Sequence, residues 1–142
     1  MKKIILAQPL INIKDSSKII NSVLKSNFIN EGSQTREFEK KICKLLKVKY
    51  AVTTTSGTVA IFLALKAAGI RNGDEVIIPN ITFPATANAV KMAGGKIILA
   101  DVNPINLLID EKSLIKKINP KTKFIIPVHL SGRGGNIKKI VS

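Results

Sequence analysis

The sequence predicts an α/β fold: a mainly parallel sheet with helices on both faces. Three observations carry that expectation. From residue 50 onward, β-branched runs alternate with Ala- and Leu-rich runs in the order β-α-β-α-β-α-β, the signature of strands joined through helices. The run Glu75-Val76-Ile77-Ile78-Pro79 is apolar without alternation, as in a strand covered on both faces. The stretch Val52-Thr53-Thr54-Thr55 stops at Ser56-Gly57-Thr58 and gives way to the helix-forming Val59-Ala60-Ile61-Phe62-Leu63-Ala64-Leu65.

Taken in order, residues 1–14 read as extended. Asp15-Ser16-Ser17 is the expected cap of a helix carrying Ile19, Ile20, Val23 and Leu24 at helical spacing. That helix is expected to end near Ser26-Asn27, and Phe28-Ile29-Asn30-Glu31-Gly32 is a turn hinged at Gly32. Ser33 is the expected N-cap of a second helix with the apolar stripe Phe38, Ile42, Leu45 and Leu46. Cys43 packs on that helix as a small residue, since nothing beside it marks an activated thiolate. This divides the chain into an N-terminal extended segment and helix, 1–32, and a larger body, 33–142. In that body the first strand is expected at residues 50–54, and the helix after it closes at Gly69, a C′ glycine. Arg71-Asn72-Gly73-Asp74 is a turn before the strand 75–79. A helix from Thr82 to Met92, closed by Gly94-Gly95, leads to a strand at 96–101. Asp110-Glu111-Lys112-Ser113 opens a short helix, and the last strand is expected at 123–128.

Composition narrows the function classes. At 142 residues and 45% hydrophobic content, the chain can bury a core and is no disordered tail. No apolar run is long enough to cross a bilayer. Met1-Lys2-Lys3-Ile4-Ile5-Leu6-Ala7 has too short an apolar part for a signal peptide before it meets Gln8-Pro9. One cysteine makes no internal disulfide, so the cytoplasm is the expected compartment. The net charge of +14 raises the question of a nucleic-acid partner. However, the lysines are spread along the chain, only three of the 23 basic residues are arginine, and no stacking array of aromatics accompanies them. A dispersed solvated charge is the better reading.

In a parallel sheet, ligands bind beyond the carboxyl ends of the strands. Ser56-Gly57-Thr58, Asn80 to Phe83, Asp101 and His129 all fall at such ends. A helix N-terminus with a glycine and two hydroxyls is an anion site, or Ser56 merely caps the helix. Phe83 either covers a flat ring or packs in the core. His129, the one histidine, either donates a hydrogen bond or moves a proton there, or is an ordinary solvated residue. Asp101 either joins the site or starts a turn with Asn103-Pro104. One His and one Cys cannot build a closed N/S metal site, so no metal is expected. Neither a P-loop nor a GxGxxG fingerprint is present.

Several segments together resemble the N-terminal part of the DegT/DnrJ/EryC1/StrS family of pyridoxal-phosphate-dependent sugar aminotransferases. They are Phe28-Ile29-Asn30-Glu31-Gly32, Glu37-Phe38-Glu39, Ser56-Gly57-Thr58 before Ala64-Leu65, and Gly73-Asp74-Glu75-Val76-Ile77 with Pro79. They continue with Thr82-Phe83-Pro84-Ala85-Thr86-Ala87-Asn88-Ala89, Asp101-Val102 with Pro104, and Ile126-Pro127-Val128-His129-Leu130. The resemblance implies an incomplete large domain of a fold-type I transferase, with pyridoxal 5'-phosphate as cofactor. Gly57 and Thr58 would hold its phosphate and Phe83 would stack on its ring. His129 would lie near the same pocket as a candidate catalytic residue, and Asn30 and Gly32 would border the substrate. The implied reaction moves an amino group, typically from glutamate, to a nucleotide-linked keto sugar for polysaccharide or amino-sugar synthesis. The implied assembly is a homodimer.

This chain departs from the family in two places. It reads Ser131-Gly132-Arg133-Gly134-Gly135-Asn136 where many members carry a Gly-Gln-Pro-Ala-Asp type of sequence. The resemblance also places the Schiff-base lysine and the carboxylate that pairs with the pyridine nitrogen beyond Ser142, so the 142 residues alone are expected to be an inactive fragment. Two other functions stay open: a non-catalytic remnant that binds or dimerises, and another fold-type I pyridoxal enzyme with different chemistry.

Overall fold

The computed structural model describes residues 8–141. Of the extension expected over residues 1–14, residues 1–7 lie outside them, and the helix already begins at Ile13 because Asn12 caps it. The chain forms two compact units, divided between Thr53 and Thr54.

The first unit holds α1 (Ile13–Lys25) and α2 (Ser33–Leu46). The cap of α1 is Asn12, not Asp15: its side-chain oxygen accepts from the Asp15 N–H, at 3.2 Å. Asp15 instead sits in the first turn, where its charge suits the positive end of the helix. Gly32 precedes α2 and supplies no side-chain cap, so Ser33 is the first helical residue rather than the cap. Glu37 and Lys41, one turn apart, pair at 2.8 Å; the hydrogen bond from Lys41 holds the Glu37 carboxyl below its ordinary value. Neither helix buries a residue, and Ile19, Leu24, Phe38 and Leu45 are exposed.

The strand expected at 50–54 does not form. A strand exists only as part of a ladder, and among the described residues no segment pairs with it. Its Thr53 N–H is taken by a side chain instead, donating to Glu39 Oε1 at 2.8 Å.

The second unit is the α/β body. It runs α3 (Gly57–Ala67), β1 (Glu75–Pro79), α4 (Ala85–Met92), β2 (Lys96–Ala100), α5 (Glu111–Lys117), β3 (Thr122–Ile125) and α6 (Ile137–Val141). The three strands are parallel in the order β2-β1-β3. β1 is central and wholly buried, which is why its apolar run lacks alternation. Its side chains still divide by period two. Val76 and Ile78 pack with Leu65, Ile70 and Val90 on the α3/α4 face, while Ile77 packs with Ala100, Ile109 and Leu114 on the other. Helices therefore cover both faces, as expected.

β2 ends at Ala100, one residue before the expected Asp101, and β3 starts at Thr122, one before the expected Lys123; two further boundaries differ because of proline. α4 starts at Ala85 rather than Thr82, because Pro84 lacks an N–H and biases Phe83 away from helical geometry. The ladder of β3 ends at Ile126, whose N–H donates to the Ile77 carbonyl at 2.9 Å. Pro127 cannot extend it to residue 128. At the opposite edge, buried Glu75 accepts from Asn119 Nδ2 at 2.7 Å and Lys96 Nζ at 2.9 Å, joining β1 to β2 and to the loop before β3.

Candidate functional site

The carboxyl edge of the sheet is built from the residues that follow each strand. Asn80 follows β1 and Asp101 follows β2. The Asn80 side-chain amide donates to Asp101 Oδ1 at 3.0 Å, and the Asp101 N–H donates to Ser113 Oγ at 2.8 Å. Asp101 is thus tied to α5 as well as to β1. The turn that follows starts at Asn103 rather than Asp101: Asn103 Oδ1 accepts from the Ile105 N–H at 2.9 Å, while the Asp110 N–H returns to the Asp101 carbonyl at 2.8 Å.

α3 brings its N-terminus to this same edge. Its last turn delivers the chain through Gly69, in the left-handed region at φ 85°, to buried Ile70 and then to the start of β1. The 11 residues of α3 span about 16 Å at 1.5 Å per residue, close to the length of a five-residue strand. Leu65, near the end of α3, packs in one cluster with Val76 and Ile78 of β1, and a helix that returns to a strand of a parallel sheet has its N-terminus toward the carboxyl ends of the strands.

The first turn of α3 admits both readings left open for Ser56. Ser56 Oγ caps the helix by accepting from the Val59 N–H, at 3.3 Å. Thr54 Oγ1 donates to the Ser56 carbonyl at 3.0 Å. The cap uses the third amide of the turn, so the N–H groups of Gly57 and Thr58 have no partner among the described residues. A Cβ built on Gly57 would meet no atom within 4 Å. Two unpaired donors, the positive end of a helix dipole and open space above a glycine fit an anion such as a phosphate. That donor set is the test of whether these residues suit the phosphate end of a pyridoxal cofactor, and they do.

Phe83 is not a core residue: 75% of its surface is exposed. It stands just before α4, which packs against α3. Its ring is available to a flat ligand at the edge where the α3 amides lie. No hydrogen bond joins it to Ser56, Gly57 or Thr58 among the described residues.

His129 takes a different position. Its Nδ1 accepts from the Gly135 N–H at 3.0 Å, which leaves the proton of the neutral ring on Nε2. It lines a cavity of about 430 Å³ with Asn103, Asp110 and Asn136. Gly57, Thr58 and Phe83 do not line that cavity. Asn30 and Gly32 belong to the first unit, in the turn that opens α2, and Asn30 is exposed. The double hydrogen bond from Thr53 to Glu39 has no signal in the sequence beyond the Glu37-Phe38-Glu39 segment itself.

The model of the DegT/DnrJ/EryC1/StrS aminotransferase family matches residues 11–142. A 3-oxo-glucose-6-phosphate:glutamate aminotransferase of Bacillus subtilis (strain 168) is 39% identical over 128 residues, 90% of this chain and 29% of the relative. A GDP-perosamine synthase of Escherichia coli O157:H7 is 38% identical over 142 residues, 99% of this chain and 39% of the relative. Among solved structures, an E. coli GDP-4-keto-6-deoxy-D-mannose-3-dehydratase with bound hydrated PLP superposes with a TM-score of 0.84 at 28% identity. That match covers 94% of this chain and 36% of the other. The chain therefore spans between about three tenths and two fifths of the proteins it matches.

Proposed function

The chain belongs to the DegT/DnrJ/EryC1/StrS aminotransferase family, and from that premise we propose that it supplies the phosphate-binding part of a pyridoxal-phosphate-dependent sugar aminotransferase. The full-length protein moves an amino group from glutamate to a keto sugar, carried on a nucleotide, in amino-sugar or polysaccharide synthesis. One observation carries the reading: the unpaired Gly57 and Thr58 amides at the start of α3, with open space above Gly57. The names of the two curated relatives support an amino transfer and a sugar acceptor, one of them with glutamate as the other partner.

When bound, pyridoxal phosphate supplies an electron sink for amino transfer. In this reading the Gly57 and Thr58 amides bind its phosphate, aided by the helix dipole. Phe83 covers one face of its ring and keeps water from it. His129, with Nδ1 engaged by Gly135, offers a hydrogen bond from Nε2–H on the substrate side. Asn30 and Gly32 border the sugar. Neither the lysine that joins the cofactor nor the carboxylate on its ring nitrogen is assigned to a residue of this chain. A homodimer in the cytoplasm belongs to the same proposal; the exposed apolar side chains of α1 and α2 support assembly.

The test uses the protein expressed from its whole reading frame. Supplied with pyridoxal phosphate, glutamate and a nucleotide-linked keto sugar, it is expected to yield 2-oxoglutarate and a sugar that has gained nitrogen, read by mass spectrometry. Absence of cofactor binding would refute the proposal. A second reading is favoured by the dehydratase among the solved neighbours: the same site serving removal of water from the sugar. A product that has lost oxygen without gaining nitrogen selects it.

A further inference from the structure

We propose that Glu39 is a positioning residue for the phosphate-binding turn, acting through Thr53. The inference rests on the reading of Gly57 and Thr58 as the phosphate site and adds a residue that touches no ligand. Glu39 Oε1 accepts two hydrogen bonds from one residue: the Thr53 N–H at 2.8 Å and the Thr53 Oγ1–H at 3.0 Å. Both partners are half-buried. The carboxylate thereby fixes the backbone and the side-chain rotamer of Thr53 together, and bonds to a charged acceptor are the stronger kind.

Residues 50–55 belong to no helix or strand among the described residues, and the two Glu39 bonds are the side-chain hold on Thr53. The path onward is tied as well. Thr54 Oγ1 donates to the Ser56 carbonyl at 3.0 Å, and Ser56 Oγ accepts from Val59 N–H. Every hydroxyl of this run that carries a hydrogen bond is spent on aiming the backbone, which leaves the Gly57 and Thr58 amides for an anion. A phosphate oxygen needs its donors near 2.9 Å and in line, so freedom at Thr53 becomes misplacement three to five residues later.

The sequence motif fits this role. Glu39 is the last residue of Glu37-Phe38-Glu39, and among the described residues Glu37 pairs within its own helix, with Lys41. Of these two glutamates, Glu39 leaves α2 to reach another segment of the same unit.

The experiment measures phosphate preference in the full-length protein freed of cofactor: the ratio of dissociation constants for pyridoxal and pyridoxal 5'-phosphate. The wild type must prefer the phosphate form; lack of any preference would sink the phosphate-site reading itself. Glu39→Ala is expected to lower the preference about tenfold, the scale of one charge-assisted hydrogen bond, with pyridoxal affinity little changed. Glu39→Gln keeps an acceptor oxygen and is expected to restore the preference to within about threefold. Thr53→Val keeps the backbone donor alone and is expected to fall between the two. It decides the matter if Glu39→Ala does not fold. Glu39→Ala with unchanged preference, even if less stable, overturns the proposal. So does an equal response of Ala and Gln, which would show that only the charge matters. If Glu39→Ala is lost, full preference in Thr53→Val overturns it.

Discussion

Gly95 and Gly57 make opposite predictions under the same substitution. A Cβ on Gly95 would stand 2.8 Å from Ile70 Cδ1, 3.0 Å from Val90 Cγ1 and 3.2 Å from Val76 Cγ2. All three neighbours belong to the α3/α4 core and are buried. The two valines cannot turn aside, because branching at Cβ fixes their rotamers; only the Ile70 methyl can move. Overpacking a closed core costs about 1–3 kcal/mol, and the loss of unfolded-state freedom on changing Gly to Ala returns about 0.4–1 kcal/mol. Gly95→Ala is therefore expected to lose about 1–2 kcal/mol, a fall in the apparent Tm of roughly 1–3 °C in a full-length protein of the relatives' size. At Gly57 the added Cβ meets nothing, and the position is helical. Gly57→Ala is expected to keep or slightly raise the Tm while weakening pyridoxal 5'-phosphate binding, because the methyl group takes the space of the phosphate. Differential scanning fluorimetry of the full-length cofactor-free variants reads the first effect, and a titration with the cofactor reads the second. A Gly95→Ala protein as stable as the wild type would refute the packing between α3, α4 and β1. A Gly57→Ala protein that binds the cofactor unchanged would refute phosphate contact at that residue.

Three further predictions test the sheet and the site. Ile77, fully buried at the centre of β1, is expected to lose about 1 kcal/mol on change to Val, read by denaturant titration. Phe83→Ala is expected to alter stability by less than about 0.5 kcal/mol, since the ring is exposed. It should nevertheless weaken cofactor binding and change the absorbance of the bound cofactor, and equal spectra in both proteins would remove Phe83 from the site. For Glu75, the hydrogen bond from Asn119, followed by that from Lys96, holds the carboxyl below its ordinary value of 4.5. A group depressed in the folded state gives its full stabilisation above the unfolded value and loses it as pH falls below. The Tm is thus expected to decline as pH drops below about 4.5, with a shallower decline in Glu75→Gln; parallel curves would place the acid sensitivity elsewhere.

The elements that could be read from the sequence are those decided within a few residues. Gly69 after α3 and Asp110 before α5 announce their helix ends by their own backbone freedom or side-chain oxygen. The apolar run Glu75–Pro79 fixed β1 to the residue. What could not be read depends on partners far along the chain. The segment 50–54 has strand composition, yet composition cannot supply a ladder, and its amide at Thr53 goes to Glu39, 14 residues earlier. The clamp on Glu75 by Asn119 spans 44 residues. The site shows the same division. In the sequence, capping by Ser56 and anion binding at Gly57-Thr58 stand as alternatives, because both draw on one helix end. The geometry makes them complementary. An N-cap side chain satisfies the amide three positions on, here Val59, and in doing so holds the first turn in the form that points the Gly57 and Thr58 amides outward. A helix end capped in this way is preorganised for an anion. Ser56→Ala should therefore cost phosphate affinity as well as about 1 kcal/mol of stability, although the serine side chain need never touch the phosphate.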